Sequence, residues 1–196
     1  MALDFAREQG LAHGGWCPRC RWAEDGRIPS AYKLTETPGR NPSQRTEWNV
    51  RDSDATVIFS TGKVLTGGTL LTRKLAIRYQ RPWLHLVARQ GIKSAAAKLL
   101  ALLQNHRIQI LNVAGPRASK DPQAARFARE VLAHAFSGTK RGRVVRRAPA
   151  LQQGLGPKHR VLAAHRGARR RTDKKSAKPG SAPRPSRTTR TKVRVV

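Results

Sequence analysis

Cysteine is nearly missing from this chain of 196 residues: Cys17 and Cys20 are the whole supply. Two thiols cannot build a disulfide framework, so the fold must rest on an apolar core, and a reducing cytoplasm is the expected setting. Long apolar runs are missing as well. No stretch approaches the ~20 residues needed to cross a bilayer, so no membrane partner is expected. The start, Met1-Ala2-Leu3-Asp4-Phe5-Ala6-Arg7-Glu8, has neither the basic flank nor the apolar centre of a signal peptide. Acidic residues are scarce. Only 11 Asp+Glu face 40 Lys+Arg, which leaves a formal charge of +29.

That scarcity is uneven. Residues 1–138 carry 21 Lys+Arg and 10 Asp+Glu, a net of +11, whereas residues 139–196 carry 19 and 1, a net of +18. The second segment has no Phe, Trp or Tyr, and its sole acid is Asp173. It cannot bury enough apolar area to offset chain entropy. The expected organisation is one domain over 1–138, closing near Ser137-Gly138, followed by a disordered basic tail over 139–196.

What is present in the first segment alternates. Residues 2–9 place Leu3, Phe5 and Ala6 on one side of a short helix that Gly10 stops, and residues 11–15 read as a short strand or turn. Residues 16–42 are rich in Pro, Gly and charge and read as a long irregular loop. A helix capped by Ser43 follows, ending at Asp52-Ser53-Asp54. Residues 55–60 form a β-branched strand. Residues 68–79 form a helix with Leu71, Leu75, Ala76 and Tyr79 inward. Strands over 82–87 and 107–113 flank a helix over 92–105, whose inner side is Ile92, Ala96, Leu99, Leu100 and Leu103. The last helix has Asp121 as its cap and Pro122 at its first position, a favoured pair. Its inner side is Ala124, Phe127, Ala128, Val131, Leu132 and Ala135. Alternating strands and helices predict an α/β fold, a parallel sheet with right-handed crossovers.

The most informative stretch is Leu65-Thr66-Gly67-Gly68-Thr69, between a strand and a helix. Glycines there let a backbone come close to a phosphate, and the first-turn amides favour an anion. The same residues also suit a tight turn. A second glycine turn, Ala114-Gly115-Pro116-Arg117-Ala118-Ser119, follows the last strand. Ligands of open parallel sheets sit outside the carboxyl ends of the strands, where both turns fall.

Several segments together resemble a known family. They are residues 13–25 with Gly26 and Ile28-Pro29, Thr35-Glu36-Thr37-Pro38, residues 44–54, Leu65–Thr69, and Leu111–Arg117. The family is that of the putative molybdenum carrier proteins, part of a wider Rossmann-like group that includes lysine-decarboxylase-like nucleotide binders. The resemblance spans about residues 2–137. It implies a Rossmann-like domain that binds a phosphorylated, nucleotide-like ligand, with molybdenum cofactor (molybdopterin) as the cargo. The family usually begins with a strand and a Ser-Gly-Gly-Gln-Thr-Gly turn ahead of the helix matching residues 2–9. That first strand is missing here. Two exposed strand edges and a marginal, aggregation-prone fold are expected if Met1 is the true start. Cys20 stands where the family more often has glycine, and the tail has no counterpart.

The residues expected to bind are Thr66, Gly67, Gly68 and Thr69 at the first turn, and Asn112, Gly115, Arg117 and Ser119 at the second, with Arg45 as a further anion partner. In so basic a chain Arg45 reads equally as a surface arginine, Arg117 less so, and Asn112 equally suits stabilising its turn. Cys17-Pro18-Arg19-Cys20 lacks a second pair for zinc, although His13 could add a ligand; packing of Cys17 beside Trp16 is the plainer account. His85 reads as a structural histidine. Related nucleoside-phosphate hydrolases carry Gly-Gly-x-Gly-Thr-x-x-Glu, but no carboxylate follows within Gly67–Lys74, which favours binding over catalysis. Glu24-Asp25, Glu47, Asp52 and Asp54 suit acid–base work or capping and solvated charge. The tail, with Arg169–Arg171 and Lys174-Lys175, suits non-specific nucleic-acid contact or no selected role. Self-association into a homo-oligomer is left open.

Overall fold

The computed structural model describes residues 1–137 together with Arg194–Val195. These belong to one unit, formed by Met1–Val144 and Arg190–Val196. Most of the tail expected over 139–196, including its basic clusters, lies outside the described residues.

The chain opens with α1 (Ala2–Glu8) and the two-residue strands β1 (Ala12–His13) and β2 (Trp16–Cys17). A hairpin follows, β3 (Trp22–Ala23) with β4 (Gly26–Arg27), and then β5 (Thr35–Glu36) pairs in parallel with β2. The region expected to be irregular is therefore tied down. Arg21 does much of this, since its guanidinium donates to the carbonyls of Ile28, Pro29, Tyr32 and Leu34. One planar fork satisfies four loop carbonyls that no sheet covers.

Helix α2 (Pro42–Arg51) has Asn41 as its cap, whose side chain accepts from the Ser43 amide. The cap lies two residues before the expected Ser43 because Pro42 is suited to the first helical position. Strand β6 (Ala55–Ser60) is buried at all six residues. Helix α3 (Gly67–Arg78), strand β7 (Trp83–Val87), helix α4 (Ile92–Asn105), strand β8 (Ile110–Ala114) and helix α5 (Pro122–Phe136) complete the alternation. Asp121 caps α5 as expected, accepting from the Ala124 amide. The expected inner side of α5 is buried throughout, whereas Ile92 of α4 is 38% exposed and Ala95 takes the inward place.

Parallel pairing joins β6 to β7 and to β8. One further strand, β9 (Arg194–Val195), sits between β8 and β1, parallel to both, so the order is β1-β9-β8-β6-β7. The position expected to be vacant thus holds a strand, and the two edges expected to be exposed are paired there. Those two residues of the tail region are strand.

Helices cover both faces, as a parallel sheet requires. On one face α1, α4 and α5 bury Phe5, Leu99, Phe127, Val131 and Leu132 against Val57, Phe59, Leu86 and Leu111. On the other, α2 and α3 pack through Val50, Leu75 and Ala76. The fold is α/β and Rossmann-like.

Candidate functional site

All five strands are parallel, so their carboxyl ends share one edge. Helix α2 ends where β6 begins, so its N-terminus points back to that edge. Helix α3 starts from that edge. The beginnings of α2 and α3 and the turns after β6 and β8 therefore surround one region.

At the first turn Gly67 has φ +50, a backbone that disfavours side chains, while Gly68 does not. A Cβ at either position would meet nothing within 4 Å, so the space before α3 is open. Thr66 is the α3 cap but makes no side-chain capping bond. The amides of Gly67 and Gly68 have no intrahelical carbonyl ahead of them. Thr69 is buried, and its hydroxyl donates to the Thr66 carbonyl at 2.7 Å; the Thr72 hydroxyl donates to the Gly68 carbonyl at 2.8 Å. These bonds orient the first turn from within.

At the second turn a Cβ on Gly115 would lie 3.3 Å from the Phe59 carbonyl, so glycine allows β8 to leave close against β6. Arg117 and Ser119 are exposed, and the Arg117 carbonyl accepts from the amides of Lys120 and Asp121. Asn112 is buried inside the sheet, donating to the Thr56 hydroxyl at 3.2 Å. It stands apart from the turn residues. The two turns are coupled by Asp121. One carboxylate oxygen caps α5, and the other accepts from the amide and hydroxyl of Thr61, each at 2.9 Å.

Arg45 and Arg117 are near enough to repel. The Arg45 residue is exposed overall, but protein crowds its guanidinium. That desolvation, then the charge of Arg117, draws its pKa below the ordinary arginine value. Arg117 has one acidic neighbour, Glu24 at the tip of the β3–β4 hairpin, at 3.9 Å. The hairpin segment is held beside α2 by Asn49, whose side chain accepts from the Trp16 amide and donates to the Trp16 carbonyl. Two cations within electrostatic range of each other, one of them also paired with Glu24, suit an anion.

Three other candidate acids have structural partners. Glu47 accepts from the Tyr79 hydroxyl, Asp52 from the Trp16 indole, and Asp54 from the amides of Gln109 and Ile110. Asp54 lines a shallow depression with Arg81, His106 and Arg107, at the amino edge of the sheet and away from both glycine turns. Cys17 is buried, and desolvation raises its pKa; Cys20 is exposed. Among the described residues no three His, Cys, Asp or Glu gather as a metal would need. His85 Nε2 meets the Ser60 hydroxyl at 2.7 Å, and that hydroxyl also lies 2.7 Å from the Gly62 carbonyl. Burial, then Arg73, lowers the His85 pKa. Sequence reasoning missed the Asp121 bridge and the Glu24–Arg117 pair. Asp121 was legible as a cap, but its second oxygen carried no local signal.

A crystal structure described as a putative molybdenum carrier protein from Syntrophus aciditrophicus SB is 43% identical, with a TM-score of 0.67, over 68% of this chain and 85% of that one. No curated protein matches the chain. No helix among the described residues is long and apolar enough to cross a membrane. The model of the circularly permutated YpsA SLOG family matches residues 1–136, and the chain belongs to that family.

Proposed function

We propose that the chain binds a phosphorylated, nucleotide-like small molecule at the carboxyl edge of its sheet, with molybdenum cofactor as the cargo. The carrying observation is that both glycine turns leave the carboxyl edge of one parallel sheet and are tied together through Asp121, with Arg45 and Arg117 within electrostatic range of each other. An anion between the two guanidiniums would relieve their repulsion. The open start of α3 supplies amides and a favourable dipole nearby. Thr66, Gly67, Gly68 and Gly115 would shape the site, and Ser119 would add a hydroxyl. The phosphate of molybdopterin fits this donor set. The name of the 43% identical relative supports the cargo. Binding is favoured over turnover because Gly67–Lys74 contains no carboxylate.

Gly68→Asp tests the reading. The site has room for the side chain, and an acid in a first turn suits a helix, so the variant should fold. Its carboxylate would compete for the same amides. Calorimetry with nucleoside monophosphates, and molybdenum analysis of protein purified from cells making the cofactor, are the measurements. Binding at least roughly tenfold weaker, equivalent to about 1.4 kcal/mol, is expected for Gly68→Asp and for Arg117→Glu. Undiminished binding by both variants would refute the site; phosphate binding without molybdenum would refute the cargo alone.

A further inference from the structure

Strand β9 lies outside the residues that the family model matches. Its place is nevertheless an interior one. Arg194 pairs with Ile110 on one side and Ala12 on the other; Val195 pairs with Leu111 and His13. Among the described residues β1 has no other strand partner. Leu111 of β8 is fully buried, and helices cover the sheet on both faces. Backbone amides and carbonyls on the inner edges of β1 and β8 would thus be poorly placed to find water if the slot were empty.

Chain direction favours the same occupant. Helix α5 begins at the carboxyl edge, after β8, and ends at the amino edge. A strand added beside β8 after α5 would run parallel to β8, which is the usual product of a β-α-β crossover. β9 completes that unit, only with residues 137–193 placed before it. The segment Val193-Arg194-Val195-Val196 has three β-branched residues in four, which suits a strand.

We propose that the gap between β1 and β8 is a strand-acceptor site, and that Arg194–Val195 of the same chain are its occupant. The basic tail then contributes backbone pairing as well as charge. β9 ends at Val195, level with His13 of β1 and with Leu111 in the first half of β8.

Hydrogen exchange on the full chain, on a chain lacking residues 190–196, and on Val195→Pro tests this. Proline has no amide and cannot sit inside a sheet. Exchange in segments 11–14 and 109–113 should accelerate at least roughly tenfold in both variants, with β7 much less affected. A charge control, Arg190→Gln with Lys192→Gln and Arg194→Gln, should leave exchange as in the full chain. If the shortened chain aggregates, refolding it with a peptide of residues 190–196 should recover soluble, protected protein, and a scrambled peptide should not. Unchanged exchange in both variants would overturn the proposal. So would equal rescue by the scrambled peptide, or a charge control that reproduces the deletion. Protection that vanishes on dilution of a full-chain dimer would place the strand in a second copy and overturn its assignment to the same chain.

Discussion

Single residues in this protein are held by partners distant in sequence, and His85 gives a testable case. Its pKa lies below the ordinary 6.5, first because it is half-buried and then because Arg73 is near. On unfolding it returns to the ordinary value. The unfolded chain therefore takes up the proton first as pH falls. Stability from the neutral ring is complete above about pH 6.5 and declines as pH drops toward the folded pKa. A thermal midpoint that falls between pH 7 and pH 5, with a smaller fall for His85→Gln, is the expected result. NMR titration of the ring checks the direction; a folded pKa above 6.5 would reverse the slope. Local chemistry of this sort was partly legible. The sequence suggested a structural histidine, but its Ser60 partner comes from a different strand. Arg45 and Arg117 were legible as cations; their proximity was not, because one stands on α2 and the other after β8, elements that only the tertiary fold brings together.

Elements were more readable than contacts. Asp121-Pro122 announced the start of α5, and the apolar spacing of Phe127, Val131 and Leu132 gave its buried face. Pro42 shifted the cap of α2 from Ser43 to Asn41. The region 16–42 looked irregular because Arg21 organises it through backbone carbonyls, which leave no side-chain pattern. The strand Arg194–Val195 was hidden by averaging: three β-branched residues in four vanish in a long basic composition. At this scale Asp121→Ala is informative. It removes the α5 cap and the two bonds to Thr61 together. A loss of about 1–3 kcal/mol is expected, measured by urea denaturation, with an unchanged m value. Asp121→Asn should recover part of the loss, since its oxygen can still cap the helix. A null effect of Asp121→Ala would mean that the turns do not depend on this bridge.

For the whole molecule, charge is the leading property. Residues 139–196 hold +18 of the +29. A chain segment so basic, without aromatic side chains, should bind nucleic acid through phosphates, with little sequence preference and steep salt dependence. Retention on DNA–agarose should be strong at 50 mM salt and largely lost by several hundred millimolar. Changing Arg169, Arg170, Arg171, Lys174 and Lys175 to Gln should lower the salt needed for elution. Elution at the same salt would argue against the tail as the contact.

The pairing of Arg194 with Ala12 and Ile110 also sets a timetable for synthesis. Ribosomes add residues in order, so β1 and β8 must wait for residues 115–193 before their shared neighbour exists. At 5–20 residues per second that delay is roughly 4–16 s. During it the nascent sheet has two unfilled borders, long enough for a chaperone to occupy them or for neighbouring chains on one polysome to join. Slowing translation after Ala114 should therefore lower the yield of soluble protein, whereas equal slowing before Ala12 should not.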